Sequence, residues 1–172
     1  GYWPVNWGLY QTNRQAHFAR LDELVRLAER HRVGLIPSLF WHQPTISDLV
    51  GEPVDQWGNP ASRTHAFMRT YVREVVTRHR DSPAIWAWEF GNEINLPADL
   101  PNAAEHRAPV HPTLGTPASR SARDELTHAH IRTALAEFVH EVRQHDPHRL
   151  IISGNAFPRP SAWHQQHERS WR

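Results

Sequence analysis

The sequence predicts an α/β fold in which helices alternate with parallel strands, and three observations carry that expectation. Apolar residues recur at helical spacing in three separate stretches, a short apolar run follows each of them, and the connections are asymmetric. Helix-to-strand connections are only a few residues long, around Asp81-Ser82-Pro83 and Asp146-Pro147-His148. Strand-to-helix connections are long, from His42 to Gly58 and from Ile94 to Arg120. Both long connections fall on one edge of the expected sheet, at the C-terminal ends of its strands, and structureless loops beyond about 12 to 15 residues are usually functional or disordered. Pro97, Pro101, Pro109, Pro112 and Pro117 also allow the second to be read as a flexible spacer.

The first helix places Phe18, Leu21, Leu24, Val25 and Ala28 on one face with charged residues between them, and it leads into a strand that starts near Val33. The second follows Asn59-Pro60, where Asn suits an N-cap and Pro the first helical position, and Phe67, Tyr71 and Val75 then recur four apart. The third starts after Ser121, with Asp124 as its capping partner, and turns Leu126, Ile131, Leu135, Phe138, Val139 and Val142 inward. His145-Asp146-Pro147 stops it. The order is helix, strand, helix, strand, helix, strand, as in right-handed parallel crossovers.

Composition removes several classes of function. All 19 basic residues are arginine and the net charge is +1, so no dense basic face for nucleic acid is expected. Without cysteine there is no disulfide, thiolate metal site or cysteine nucleophile. No stretch approaches the roughly 18 apolar residues of a membrane span, and Gly1-Tyr2-Trp3-Pro4 is neither an initiator methionine nor a signal peptide. The chain is therefore expected to be a piece of a longer protein. Among the 14 histidines, His128 and His130 face different ways and His164 and His167 lack a carboxylate partner, so no metal and no cofactor is expected. No phosphate loop, nucleophile elbow or dinucleotide fingerprint occurs.

The most informative stretch is Trp86-Ala87-Trp88-Glu89-Phe90-Gly91-Asn92-Glu93, an apolar run that sets an amide and a carboxyl side by side at its end. A glutamate there is costly unless it is used or paired. The Asn-Glu pair resembles the acid/base motif of glycoside hydrolase family 5 and its clan A relatives. Gly34-Leu35-Ile36-Pro37-Ser38-Leu39-Phe40-Trp41-His42 resembles that family's third barrel strand and Leu150-Ile151-Ile152-Ser153-Gly154-Asn155 its fifth, so the resemblance is taken to run over nearly the whole chain.

The resemblance implies a partial (β/α)8 TIM barrel, residues 1–172 forming one domain with about the third to fifth strands and their helices, the N-terminal and C-terminal strands missing; a whole barrel has roughly 250 residues. It implies a glycosidase acting on a β-linked polysaccharide or oligosaccharide by a retaining mechanism, with Glu93 as acid/base, Asn92 on the sugar 2-hydroxyl, and a nucleophile outside this chain. The competing reading of Glu93 is a buried carboxylate paired with an arginine, and strand alternation assigns Glu89 such a role one layer below. Trp41, Trp57 and Trp163 are candidate sugar platforms beside the long connections, whereas Trp86 and Trp88 suit core packing. His42 is either a substrate contact or a structural histidine, and Asn155 is a candidate polar contact.

The expected partner is a carbohydrate substrate, with no nucleic acid, membrane or obligate protein partner; secretion or a periplasmic location would suit such a substrate. Two alternatives stand beside this reading: a non-catalytic carbohydrate-binding barrel relative, and a metal-dependent sugar isomerase or lyase barrel using the histidines and Glu93 as ligands.

Overall fold

A computed structural model describes residues 2–156. In chain order it contains α1 (Gly8–Thr12), α2 (Arg14–His31), α3 (Pro44–Leu49), α4 (Arg63–His79), β1 (Ala87–Glu89), α5 (His128–His145) and β2 (Leu150–Ile152), with short 3-10 turns between them. The long helices form close to where the apolar periodicity places them, but Leu24 and Val139, expected inward, are 53% and 40% exposed, and Leu126 precedes α5; their ends follow cap chemistry. The Asn13 side chain accepts from Ala16 N–H at 2.9 Å to start α2, and Arg32 ends it in the left-handed conformation at φ 55°. Helix α4 starts one cap later than expected, at Ser62, whose hydroxyl accepts from His65 N–H at 3.1 Å. Ser121 and Asp124 do form a reciprocal box, but it closes a 3-10 turn over Ala122–Asp124; α5 starts afresh at Thr127, which accepts from His130 N–H.

The extended part is small. Strands β1 and β2 pair in parallel with Ala87 opposite Leu150 and Glu89 opposite Ile152. On the other side of β1, the run through Leu35 and Ser38 forms isolated parallel bridges, Leu35 with Ile85 and Ser38 with Glu89, and a further backbone bond from Phe40 N–H to the Phe90 carbonyl, without a continuous ladder. Pro37 within that run has no N–H to donate, which keeps the contacts from becoming a regular ladder.

These findings correct the expected partial barrel. The described residues are mostly helical, and their single sheet is two-stranded and open. Closing a barrel requires a tilted, staggered sheet that returns on itself, and among the described residues three neighbouring runs form no such closure. The long connections are not structureless either: α3 and a 3-10 turn over Val54–Gly58 occupy the first, and further 3-10 turns at Ala103–His106 and Pro112–Leu114 occupy the second. None of the described helices is long and apolar enough to cross a membrane.

One aromatic core joins the helices to the extended runs. Phe40, Trp57, Phe90 and Phe138 pack edge to face or tilted, with ring centroids 5.2–6.3 Å apart. Trp88 is fully buried, as expected, and its indole N–H donates to Asp146 Oδ2 at 2.9 Å. Trp86 departs from expectation: it is 62% exposed, its ring lying across Gly34 where a Cβ would be 2.1 Å from it. No arginine among the described residues pairs with Glu89, contrary to the role expected for it.

Burial opposes the Asp146 charge, but bonds from Trp88 and from the backbone and side chain of Arg149 outweigh it and hold the carboxyl below its ordinary value. A lowered carboxyl stabilises the fold fully above its unfolded value, about pH 4, and that stabilisation is lost as pH falls through the folded value. Trp88→Phe removes the indole donor, so it should cost about 2 kcal/mol at neutral pH. It should also flatten the loss of stability between about pH 4 and pH 2. Urea titrations of both proteins at stepped pH measure both effects.

Candidate functional site

The C-terminal ends of the extended runs meet at two glycines. Gly154 has φ 73°, and a Cβ there would stand 1.6 Å from the Gly91 carbonyl oxygen; a Cβ on Gly91 would stand 2.0 Å from the Gln43 amide and 2.8 Å from the Phe40 oxygen. The chain can come this close only with no side chain at either position. The approach lets Glu93 N–H donate to the Gly154 carbonyl at 2.8 Å, and it leaves Glu93 itself at φ 51°. A left-handed glutamate is unfavourable, because its Cβ crowds the backbone.

Asn92 and Glu93 thereby reach a cleft of about 140 Å³ that His42, Gln43, His106 and Glu125 also line. The structure thus brings together three of the residues singled out from sequence: His42, Asn92 and Glu93. Trp41 is 43% exposed and does not line the cleft; Asn155 is exposed and also lies outside it, its backbone N–H donating to Ser153 Oγ. Trp163 lies outside the described residues. Trp57 is fully buried, its indole donating to the Gln43 carbonyl at 3.1 Å, so it is a core residue and not a platform.

The protonation pattern of His42 follows from its neighbours. Thr45 Oγ1 donates its hydrogen to the Tyr2 carbonyl at 2.7 Å, so it accepts from His42 Nδ1 at 3.1 Å. Burial lowers the ring's pKa; Asp48 opposes this and Arg120 adds to it. His42 is therefore a neutral imidazole with its proton on Nδ1 and an acceptor lone pair on Nε2.

Sequence reasoning missed the charges beneath the cleft. Arg120 donates to both Asp48 oxygens, at 2.6 and 2.8 Å, and lies 3.5 Å from Asp124, all three side chains at most 8% exposed. It also donates to the Ala108 and Pro109 carbonyls, tying α3 to the segment after Glu93. Arg107 pairs with Glu125. The signal for these pairs was present only as scattered charges, Asp48 and Arg107 in connections read as loops and Asp124 read as a helix cap, with partners 72 and 18 residues apart.

No family model matches the chain. Part of it is similar to curated proteins. A probable mannan endo-1,4-beta-mannosidase F of Aspergillus flavus is 36% identical over 81 residues, 43% of this chain and 17% of the relative. Mannan endo-1,4-beta-mannosidase A of Podospora anserina is 36% identical over 80 residues, 21% of its length, and a probable mannan endo-1,4-beta-mannosidase C of Aspergillus terreus is 54% identical over 62 residues, 15% of its length. The matched region spans about a fifth or less of these relatives.

The comparisons and the structure correct the functional expectations. Similarity to the mannosidases covers less than half of the chain, not nearly all of it, and the described residues have no barrel to mount a family 5 catalytic domain. Glycosidase activity therefore does not stand on this chain. A carbohydrate partner also lacks support, because the described residues form no barrel mouth and Trp57 is in the core. The metal-dependent alternative fails as well: among the described residues no group of three His, Asp or Glu side chains could hold a metal ion.

Arg120→Leu should strand the Asp48 and Asp124 carboxylates and cost about 3–5 kcal/mol. Replacing Asp48 by Asn in the same chain should recover part of that loss, as read from chemical-denaturation midpoints of the two variants.

Proposed function

We propose that the cleft is a non-catalytic binding site for a small, uncharged polar molecule, recognised by Asn92, Glu93 and the Nε2 acceptor of His42. The observation that carries this reading is the left-handed backbone of Glu93 at the lip of the cleft. Glycine would occupy that conformation without strain, and strain of this kind persists where function retains it. Of the carboxylates around it, Asp48 and Asp124 are matched by Arg120 and Glu125 by Arg107, so these do not call for a cationic ligand. The volume, about 140 Å³, holds a small molecule or one end of a larger one. Asn92 supplies a donor and an acceptor, and Glu93 is expected to serve as the acceptor that orients the ligand.

Glu93→Gly separates a binding role from a structural one. Glycine adopts the left-handed backbone readily, so the fold should be retained while binding of the ligand is abolished. Thermal unfolding supplies the first readout. For the second, backbone amide shifts of Asn92 and Glu93 can be followed against a panel of neutral polar small molecules, with short mannan fragments included because the matched relatives are named for that polymer. Binding at the cleft that survives the substitution would defeat the proposal.

A further inference from the structure

A second cavity, of about 210 Å³, lies between α2, α4 and the run through Leu35 and Ser38, and neither Asn92 nor Glu93 lines it. Leu21, Val25, Leu35, Val75 and Ile85 make its wall apolar. Three further lining residues, Trp7, Ser38 and His79, each carry a buried polar atom without a hydrogen-bond partner: the Trp7 indole N–H, Ser38 Oγ and His79 Nε2. Trp7 and His79 are each only 7% exposed. His79 Nε2 stands 3.6 Å from Asp22 Oδ1, beyond hydrogen-bond range. Other polar groups of the wall have found each other, as His17 Nε2 and Tyr71 Oη have at 3.2 Å.

Buried polar groups are almost always satisfied, and each exception calls for an explanation. Here three exceptions line one cavity. The Trp7 ring is held edge to face against Tyr10, Phe67 and Tyr71, with centroids 4.8–5.9 Å apart, so its N–H direction is preset by packing. Ser38 is fixed through its backbone bridge to Glu89. An indole N–H can only donate and a serine hydroxyl readily does, so what they lack is an acceptor. A dry apolar cavity of roughly 150 Å³ suffices for a benzene-sized molecule, and this one is larger. Leu24, 53% exposed, stands at its mouth and leaves a route inward.

We propose that this cavity binds a small aromatic or alicyclic molecule carrying a single carbonyl oxygen, its hydrocarbon body against the aliphatic wall and its oxygen accepting from Trp7 and Ser38. The site is independent of the cleft at Glu93 and of the reading given to it.

Acetophenone and its hydrocarbon isostere α-methylstyrene differ at the position the donors would read. Each is titrated into the 172-residue chain while the indole N–H resonances are followed by nitrogen-15 correlation spectra. Acetophenone should shift the Trp7 indole N–H saturably and bind about tenfold tighter than the isostere, the worth of roughly one hydrogen bond. Ser38→Ala should erase most of that preference while leaving α-methylstyrene affinity unchanged. Leu24→Trp, at an exposed position that the fold does not depend on, should weaken both probes by closing the mouth. Equal affinity for the two probes, a preference indifferent to Ser38→Ala, or no saturable shift up to the solubility of acetophenone would overturn the proposal; the last outcome would assign ordered water to the three groups.

Discussion

The contact on which the candidate site depends is between two backbones. Gly91 and Gly154 approach so closely that a single methyl group at Gly154 would lie 1.6 Å from the Gly91 oxygen. The run that continues β1 and the run that continues β2 therefore converge beyond their ladder, and Glu93 N–H finds the Gly154 carbonyl. That bond fixes the peptide ahead of Glu93 and obliges the residue to turn left-handed. Were either glycine larger, the runs would separate, and Asn92 and Glu93 would lose the geometry that directs them into the cleft. A site can be set by backbone proximity alone, with its side chains as consequences.

Around that corner the charges are arranged to be silent. Asp48 and Asp124 answer Arg120, and Glu125 answers Arg107. Buried pairs of this kind contribute little net stability, because desolvating the ions offsets most of their attraction; removing one member is what costs. Their consequence here is structural: Arg120 bridges α3, the segment after Glu93 and the turn before α5, so the two long connections form one floor beneath the cleft.

The helices were legible because their signal is local. Phe18, Val25 and Ala28 on α2, or Ile131, Phe138 and Val142 on α5, repeat at helical spacing and are buried as that spacing requires. The extended runs were over-read. Apolar stretches such as Gly34–Phe40 carry the composition of a buried strand, but a ladder also needs partners and donors, and with Pro37 in the run no continuous ladder forms there. Local pattern can nominate a strand; closure of a sheet is a property of the whole chain and is not written in any window of it. The Asn92–Glu93 corner was found because an amide and a carboxyl after an apolar run are conspicuous. Arg120 was not, since its partner Asp48 is 72 residues away and neither position shows a pattern by itself.

The two cavities illustrate opposite ways in which a fold can store a demand for a ligand. At Glu93 the demand is conformational: a residue that favours other backbone angles is held at φ 51°, and its energy is raised in the free protein. At Trp7, Ser38 and His79 it is polar: groups that prefer partners are buried without them. Glycine at position 93 would remove the first, and alanine at position 38 would remove one part of the second, each by an ordinary substitution with no change of topology. The Trp7 ring packs in the aromatic core, but that packing makes no use of its indole N–H, of Ser38 Oγ or of His79 Nε2, and an account of these three groups has to look to something that the protein holds.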